Sequence, residues 1–434
     1  MNVRLSSVLE RLRSSLFFVP TAAVIAAAAL GLGLLAVDRR VDGAVAELPF
    51  GFTSTVESAR TLLGAIAAAT ISFAGIAFSV SLLILQLASS QYSPRVVHTL
   101  FRDPFNKRVM ALVVGTFTYC IVVLRSVRSA LETDGDPVIP NLSVAVAVVL
   151  GIAAILAIVA FIDHSAHTMD ISEILERIRR EAVTQIHATW EPSEPGGQTV
   201  PVPPAGSEPA TVVRSDRSGW IQLIDTDTIL DIVPSGATVR VHTDAGRYAI
   251  VRSPLLSITP PADDDDLIRR LRSAVVIGHT RTMQQDVTYG LRQTADIALK
   301  ALSPGVNDPT TAEDAIFHTA AILIELLRRD PPPAVMTSGE RTVVMERGPS
   351  HDALIGLAFD EVRRAGRDQP AVCSSLVTTL SALIESLTAD GHHDRTPELR
   401  RQARLVLEGS IRHDQLDEDT TAIRNAYAQL RRLP

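Results

Sequence analysis

The 434 residues carry 41 Lys and Arg against 48 Asp and Glu, a formal net charge of −7, which excludes a general nucleic-acid binder needing a basic face for phosphates. Charged residues are 21% and aromatic residues 4%, while the mean hydropathy is positive, so the chain is not composed like a wholly water-soluble protein. The two cysteines, Cys120 and Cys373, have no partner at metal-ligand spacing and exclude a disulfide framework.

Four apolar runs crowd the first 163 residues. A bilayer core about 30 Å thick takes roughly 20 apolar helical residues to cross, because every backbone polar group must be satisfied within the segment. Leu16 to Val37 follows a basic tail with Arg4, Arg11 and Arg13. The same order suits a signal peptide, but the run is long for a signal core and no small-residue cleavage site precedes Asp38. It therefore reads as an uncleaved helix. Thr61 to Ala88 is the second run. Val109 to Leu124 is the third and the shortest, between Arg108 and Arg125, whose stems can snorkel to the interface. Leu142 to Ile162 is the fourth, after Pro137 and Pro140.

Orientation follows from basic residues in the short flanks. The N-terminal tail, the loop with Arg95, Arg102, Lys107 and Arg108, and the stretch with Arg177, Arg179 and Arg180 lie on one side. Arg39, Arg40, Arg60, Arg125 and Arg128 lie on the other. Ten against five places the N-terminus and the C-terminal body in the cytoplasm.

The second run is more than an anchor. Ser72, Ser79, Gln86 and Ser93 recur every seven residues and so share a helix face. Gly64, Ala68 and Ser72 form a small-residue row at spacing four. Such rows let helices approach closely, and hydroxyls can bond across the contact. The face reads either as a packing seam, within the bundle or between protomers, or as the polar wall of a permeation path. The absence of Asp, Glu, Lys or His well inside a run weighs against a proton-driven pump. Pro94 in QLASSQYSPR, residues 86–95, predicts a helix break.

From Asp163 the spacing of Ile171, Ile174, Leu175 and Ile178 predicts a helix to about Ala188. His164 and His167, near Asp163 and Asp170, are metal-ligating types; the plainer reading is polar groups where a helix leaves the membrane. Residues 164–210 form this helix and a Pro/Gly-rich linker over Glu191 to Ala210. Strand patterns follow at Trp220 to Ile224, Thr238 to His242 and Tyr248 to Arg252, with turns at Pro234-Ser235-Gly236 and Asp244-Ala245-Gly246. Residues 211–262 thus read as a small β domain, a barrel or sandwich. Asp263 to Asp266 suits the acidic first turn of the next helix, and residues 263–434 read as a helical domain. The fold class is an α-helical membrane domain of about four spans, residues 1–163, with an α+β body.

The polar density peaks at Arg281, Gln284, Gln285, Asp286, Arg292, Gln293, Asp296 and Lys300. Spacing four predicts Arg281 with Gln285, Arg292 with Asp296, and Asp296 with Lys300. Ser303 to Pro309, SPGVNDP, predicts a tightly turned loop that includes Asn307 and Asp308. Thr310 and Glu313 then fit a capping box. The segment is helix, rigid turn, helix; its amides and arginines are also the equipment for an anion.

LQLASSQYSPR, the Arg281-Thr282 and Gln285-Asp286 pairs, and GLRQTADIALKALSPGVNDPTTA resemble the bacterial predicted-membrane-protein family called domain of unknown function 2254, over almost the whole chain. The resemblance implies a multi-pass bacterial inner-membrane protein and supplies no substrate and no catalytic residues. Members often carry an aromatic residue where this chain has Thr311.

The functional expectation is a non-enzymatic, oligomeric channel or transporter-like protein with a cytoplasmic regulatory body. The lipid bilayer, further copies of the chain and a small ion or anion are its partners, with no cofactor and no nucleic acid. The alternative is a membrane-anchored sensor or scaffold that binds an anionic ligand or a protein through Arg281, Gln285, Asp286, Arg292, Asp296, Asn307 and Asp308. An enzyme would have to use Asp286, Asp296 and Asp308 with Arg281 and Arg292; carboxylates do acid–base work where their environments separate their pKa values.

Overall fold

The computed structural model describes residues 18–41, 55–91, 104–128, 139–167, 170–193, 209–345, 348–411 and 416–433. The chain divides into two compact units, Met1–Asp170 and Ile171–Pro434.

The first unit holds α1 (Phe18–Val41), α2 (Val56–Gln91), α3 (Pro104–Leu124) and α4 (Asn141–His167). Central α3 packs against each of the other three. Small residues set the spacing. A side chain at Gly31 would press on Val122 at 3.0 Å, and Gly115 faces Ala23 and Ala27. Leu63, Tyr119, Cys120 and Val123 are buried in one cluster. Phe73 and Phe161 meet edge to face at 5.9 Å beside a second. The outward surface is apolar: Ile25, Leu32, Val149, Leu156, Val159 and Ile162 are all exposed. Large aliphatic residues facing outward are the arrangement suited to lipid.

The third apolar run is a longer helix than its composition predicts. Pro104 to Arg108 extend it N-terminally to 21 residues, with Pro104 in the first turn, where its missing N–H costs nothing. Asp38 lies near the end of α1 and is buried. Its carboxylate accepts the Leu142 and Ser143 amides at 3.1 and 3.0 Å and the Ser143 hydroxyl at 2.5 Å. One helix thereby caps the orphan amides at the start of another, where a negative charge also meets the positive end of the helix dipole. The Tyr119 hydroxyl donates to the Ser143 carbonyl at 2.9 Å.

The second unit opens with α5 (Ile171–Thr189), whose buried face is Ile174, Leu175, Ile178, Ala182 and Ile186. Strand β1 (Glu191–Pro192) follows within the stretch read as a linker and pairs with β8 (Arg329–Asp330). Next come β2 (Thr211–Arg214), β3 (Gly219–Ile224), α6 (Thr226–Ile232), β4 (Thr238–Val241), β5 (Tyr248–Ala249), β6 (Pro254–Thr259), α7 (Asp265–Ser273) and β7 (Val275–Gly278). Asp264 caps α7, and Asp265 and Asp266 fill its first turn. The expected strand at Tyr248 to Arg252 stops at Ala249, because the chain turns at Ile250 to Ser253.

Then follow α8 (Thr288–Ala301), α9 (Pro309–Leu327), β9 (Val335–Ser338), β10 (Arg341–Met345), α10 (His351–Ala365), α11 (Pro370–Ala389), α12 (Pro397–Ile411) and α13 (Asp417–Leu430). A five-stranded sheet runs β2-β6-β4-β10-β9 and a three-stranded one β5-β3-β7. Both share a core from Val213 to Val343, so strands from beyond Ala262 complete the sheets. Strand β10 pairs parallel to β4, with Val343 opposite Val239, a crossover that only tertiary contact reveals. The helices pack around α11 and around the α8–α9 pair. Gly290 lets α8 reach α5, since a side chain there would stand 2.7 Å from Ala182 Cβ.

Among the described residues, five helical stretches are long and apolar enough to cross a membrane: Phe18–Arg40, Val56–Leu83, Phe105–Leu124, Asn141–Ser165 and Pro370–Ala389.

Candidate functional site

Helix α2 is 36 residues long, about 54 Å at about 1.5 Å per residue. Ser72, Ser79 and Gln86 are exposed on it, and Ser93 lies outside the described residues. The Ser79 hydroxyl donates to the Gly75 carbonyl at 3.0 Å, which leaves its lone pairs facing outward. Space around Gly64 and Gly75 is open. Elsewhere on the helix Thr70 is buried and bonds back to the Ile66 carbonyl at 2.8 Å. The outward hydroxyls share the surface with exposed Ile71, Ile76, Phe78 and Leu82.

In the second unit the polar segment forms three separate clusters. Arg281 does not meet Gln285. Its Nε lies 2.5 Å from Asp286 Oδ2, and its Nη2 donates to the Thr288 hydroxyl at 2.8 Å. The same guanidinium lies 5.1 Å from the Tyr289 ring centroid and 5.8 Å from that of Trp220, a cation–π arrangement. The spacing-four expectation fails because α8 begins only at Thr288; the chain from Arg281 to Val287 is not helical. Asp286, 4% exposed, also accepts the Thr288 amide and hydroxyl. Gln285 is spent on a strand: its Oε1 accepts the Ile224 amide at 2.9 Å, and its Nε2 donates to the Ile224 carbonyl at 3.1 Å.

One turn further, Arg292 bridges Asp296 at 2.7 Å, as the spacing predicts, and also Glu361 at 2.9 Å. These hydrogen bonds, Glu361 foremost, raise the Arg292 pKa against the opposing effect of burial. In the third cluster Asp308, not Thr310, caps α9. Its carboxylate accepts the Thr311 amide at 3.1 Å and the Thr311 hydroxyl at 2.6 Å. Pro309 occupies the first helical turn, where its missing N–H costs nothing, so an Asp308 N-cap two residues earlier replaces the capping box expected at Thr310 and Glu313. The Thr311 hydroxyl and amide hold the Asp308 carboxyl below its ordinary range. Asn307 takes a left-handed φ of +48, and its side-chain oxygen accepts from Gln369 at 3.0 Å.

The three carboxylates therefore serve three different donor sets. The described residues contain no group of three or more His, Cys, Asp and Glu placed to hold a metal. The His164 ring packs on Phe105, centroids 4.5 Å apart; the His167 side chain lies outside the described residues.

Three positions carry weight that sequence reasoning missed. Asp38 closes the start of α4. Gly246, with φ +85, leaves room for the Asp286 carboxylate. Arg395, buried, donates to the Leu327 and Arg329 carbonyls, the Ser193 hydroxyl and Asp330. The turn signal marked Gly246 but not its neighbour. Nothing in the sequence near Asp38 or Arg395 names partners 104 and 202 residues away.

Comparison with known proteins matches residues 13–382 to the family described as predicted membrane protein (domain of unknown function 2254). The chain is 30% identical over 436 residues to the uncharacterized protein Rv1290c of Mycobacterium tuberculosis and, equally, to the uncharacterized protein Mb1321c of Mycobacterium bovis, covering 98% of this chain and 82% of each relative. No solved structure matches it. The chain belongs to the predicted membrane protein family called domain of unknown function 2254.

Proposed function

We propose that this is a bacterial inner-membrane protein of four spans that assembles with further copies of itself through α2, whose Ser72, Ser79 and Gln86 face lines a path for a small ion. The N-terminus and the second unit lie in the cytoplasm. The outward Ser79 hydroxyl, among exposed Ile71, Ile76, Phe78 and Leu82, carries this reading. The hydroxyl proton is already given to the Gly75 carbonyl, but its acceptor lone pairs find donors only on a neighbouring helix or in water, not in lipid tails.

Four spans are favoured over five because Pro370–Ala389 already has protein neighbours. It packs against α9, α12 and α13 and buries Val372, Leu376, Val377, Leu380 and Ile384, the environment of a globular core helix. The sensor alternative draws less support. Arg281, Gln285, Asp286, Arg292 and Asp308 each hold protein partners already, so an anion would have to displace them.

The test is ion flux into vesicles that contain the intact protein. Flux of a small ion, abolished by Ser79→Leu and retained by Ser79→Thr, is the expected result. Folded protein that passes neither sodium, potassium, protons nor chloride overturns the proposal.

A further inference from the structure

The second unit presents apolar side chains on a turn where solvent would select polar ones. After β5 the chain reverses through Ile250, Val251, Arg252 and Ser253, and the Ser253 amide donates to the Ile250 carbonyl at 2.9 Å. Arg252 has φ +69. A left-handed residue at the third position of such a turn calls for Gly or Asn, since a Cβ there is strained. Ile250 is 65% exposed and Val251 48%. A turn serving only the fold would be better built with glycine at 252 and polar residues before it.

The tip is held firmly. The Val251 amide donates to the Ser218 hydroxyl at 2.9 Å, the Arg252 amide to the Ser215 carbonyl at 2.9 Å, and Arg214 Nη1 to the Arg252 carbonyl at 3.0 Å. The exposed Tyr248 ring stands edge-on to Trp220 at 5.4 Å. Arginines surround these residues. Arg214, Arg217, Arg247 and Arg252 are exposed, and Arg272 bonds the Arg214 carbonyl at 2.8 Å. Asp216 pairs with Arg217 and Asp244 with Arg247. A basic patch thus stands out on a chain whose net charge is −7.

We propose that this tip docks on an anionic bilayer surface, with Tyr248, Ile250 and Val251 entering the headgroup–acyl boundary and the surrounding arginines binding lipid phosphates. Aliphatic and aromatic residues ringed by cations are the physical recipe for interfacial binding. A second copy of the same tip is a poorer occupant, because its arginines would meet like charge. The unit begins only a few residues after the apolar stretch Asn141–Ser165, so chain connectivity tethers it to the bilayer and a weak intrinsic affinity suffices. The inference rests on the chain being a membrane protein and not on ion conduction.

The test uses the intact protein, labelled at Val251→Cys with an environment-sensitive fluorophore; both native cysteines are buried. It is reconstituted into phosphatidylcholine vesicles or into phosphatidylcholine–phosphatidylglycerol vesicles, each with and without a nitroxide-bearing lipid. Docking gives blue-shifted emission that the nitroxide lipid quenches by more than about twofold with anionic lipid, and less with phosphatidylcholine alone or at high salt. Arg252→Gly in the labelled chain should weaken that quenching while the unfolding temperature holds or rises, because glycine fits the left-handed turn. Water-like emission in both vesicles overturns the proposal. So does a blue shift that the nitroxide lipid does not quench, which would mean a protein partner on the tip.

Discussion

Alanine at Gly246 should destabilise the second unit chiefly through one carboxylate. The new Cβ would fall well inside the van der Waals radius of the Asp286 side chain. Alanine at φ +85 costs about 1 kcal/mol by itself. The larger cost is displacing a buried carboxylate from Arg281 and Thr288. Breaking a buried pair costs about 3–5 kcal/mol, and Arg281 is 21% exposed, so the lower end, about 3 kcal/mol, applies. The total is about 4 kcal/mol. In an Asp286→Ala background the clash is gone, and Gly246→Ala should cost only about 1 kcal/mol. Hydrogen exchange of the Thr288–Ala301 amides, measured on the intact protein in lipid nanodiscs, reads this out. Where exchange follows opening of the unit, protection should fall roughly a thousandfold in Gly246→Ala, but only roughly fivefold between Asp286→Ala and the double variant. Equal losses in the two backgrounds would refute the reasoning, since the added methyl would then be meeting something other than Asp286.

Three further outcomes follow from other clusters. Arg395→Met strands the Leu327 carbonyl and leaves the Arg329 carbonyl with His351 alone, and should destabilise the second unit by about 3 kcal/mol, seen as a lower thermal midpoint and faster proteolysis at the β1–β8 pair. Burial lowers the His351 pKa, opposed by the hydrogen bond to the Arg329 carbonyl. The unfolded chain therefore binds the proton more readily, and stability falls as pH drops below about 6.5; a His351→Gln variant should flatten the pH dependence of the melting temperature there. Asp308→Ala should cost about 1 kcal/mol through loss of the α9 cap. Because the folded Asp308 pKa is lowered, its contribution is present above the unfolded value of about 3.9 and lost as pH falls through the folded one, so wild type and variant should converge in acid melts.

The membrane unit was legible because lipid imposes a length and composition rule on each segment alone. The first four apolar runs needed no knowledge of their neighbours and moved at their ends, as when α3 absorbed Pro104 to Arg108, but Pro370–Ala389, also long and apolar enough to cross, was not among them. The body was less legible wherever partners lie far apart in sequence. Arg292 and Asp296 met as their spacing predicts because both sit on one helix. Arg281 and Gln285 did not, because their segment is irregular and its partners come from Trp220 and Ile224. Thr310 and Glu313 matched a capping pattern, yet Asp308 and Pro309 offered an earlier start with a stronger acceptor. The parallel pairing of Val343 with Val239 had no local signature.

The satisfied clusters and the unfinished surfaces of this chain differ in kind. At Arg281, Arg292, Asp308 and Arg395, charge is met by charge or by backbone, and a ligand would have to compete with bonds already made. Ser72, Ser79 and Gln86 on α2, and Tyr248, Ile250 and Val251 on the turn, instead face outward with chemistry that water alone or lipid tails alone would not favour. Hydroxyls among aliphatic residues are met by another helix or a wet path; aliphatic residues among arginines are met by a charged interface. The two surfaces ask for different partners. An experiment that supplies lipid without self-association, such as one copy per nanodisc, should therefore satisfy the turn and leave α2 exposed. Nitroxide-lipid quenching at Val251→Cys should persist under that dilution, while cross-linking at Ser79→Cys should vanish. Loss of both together would mean that the turn, too, is completed by another copy.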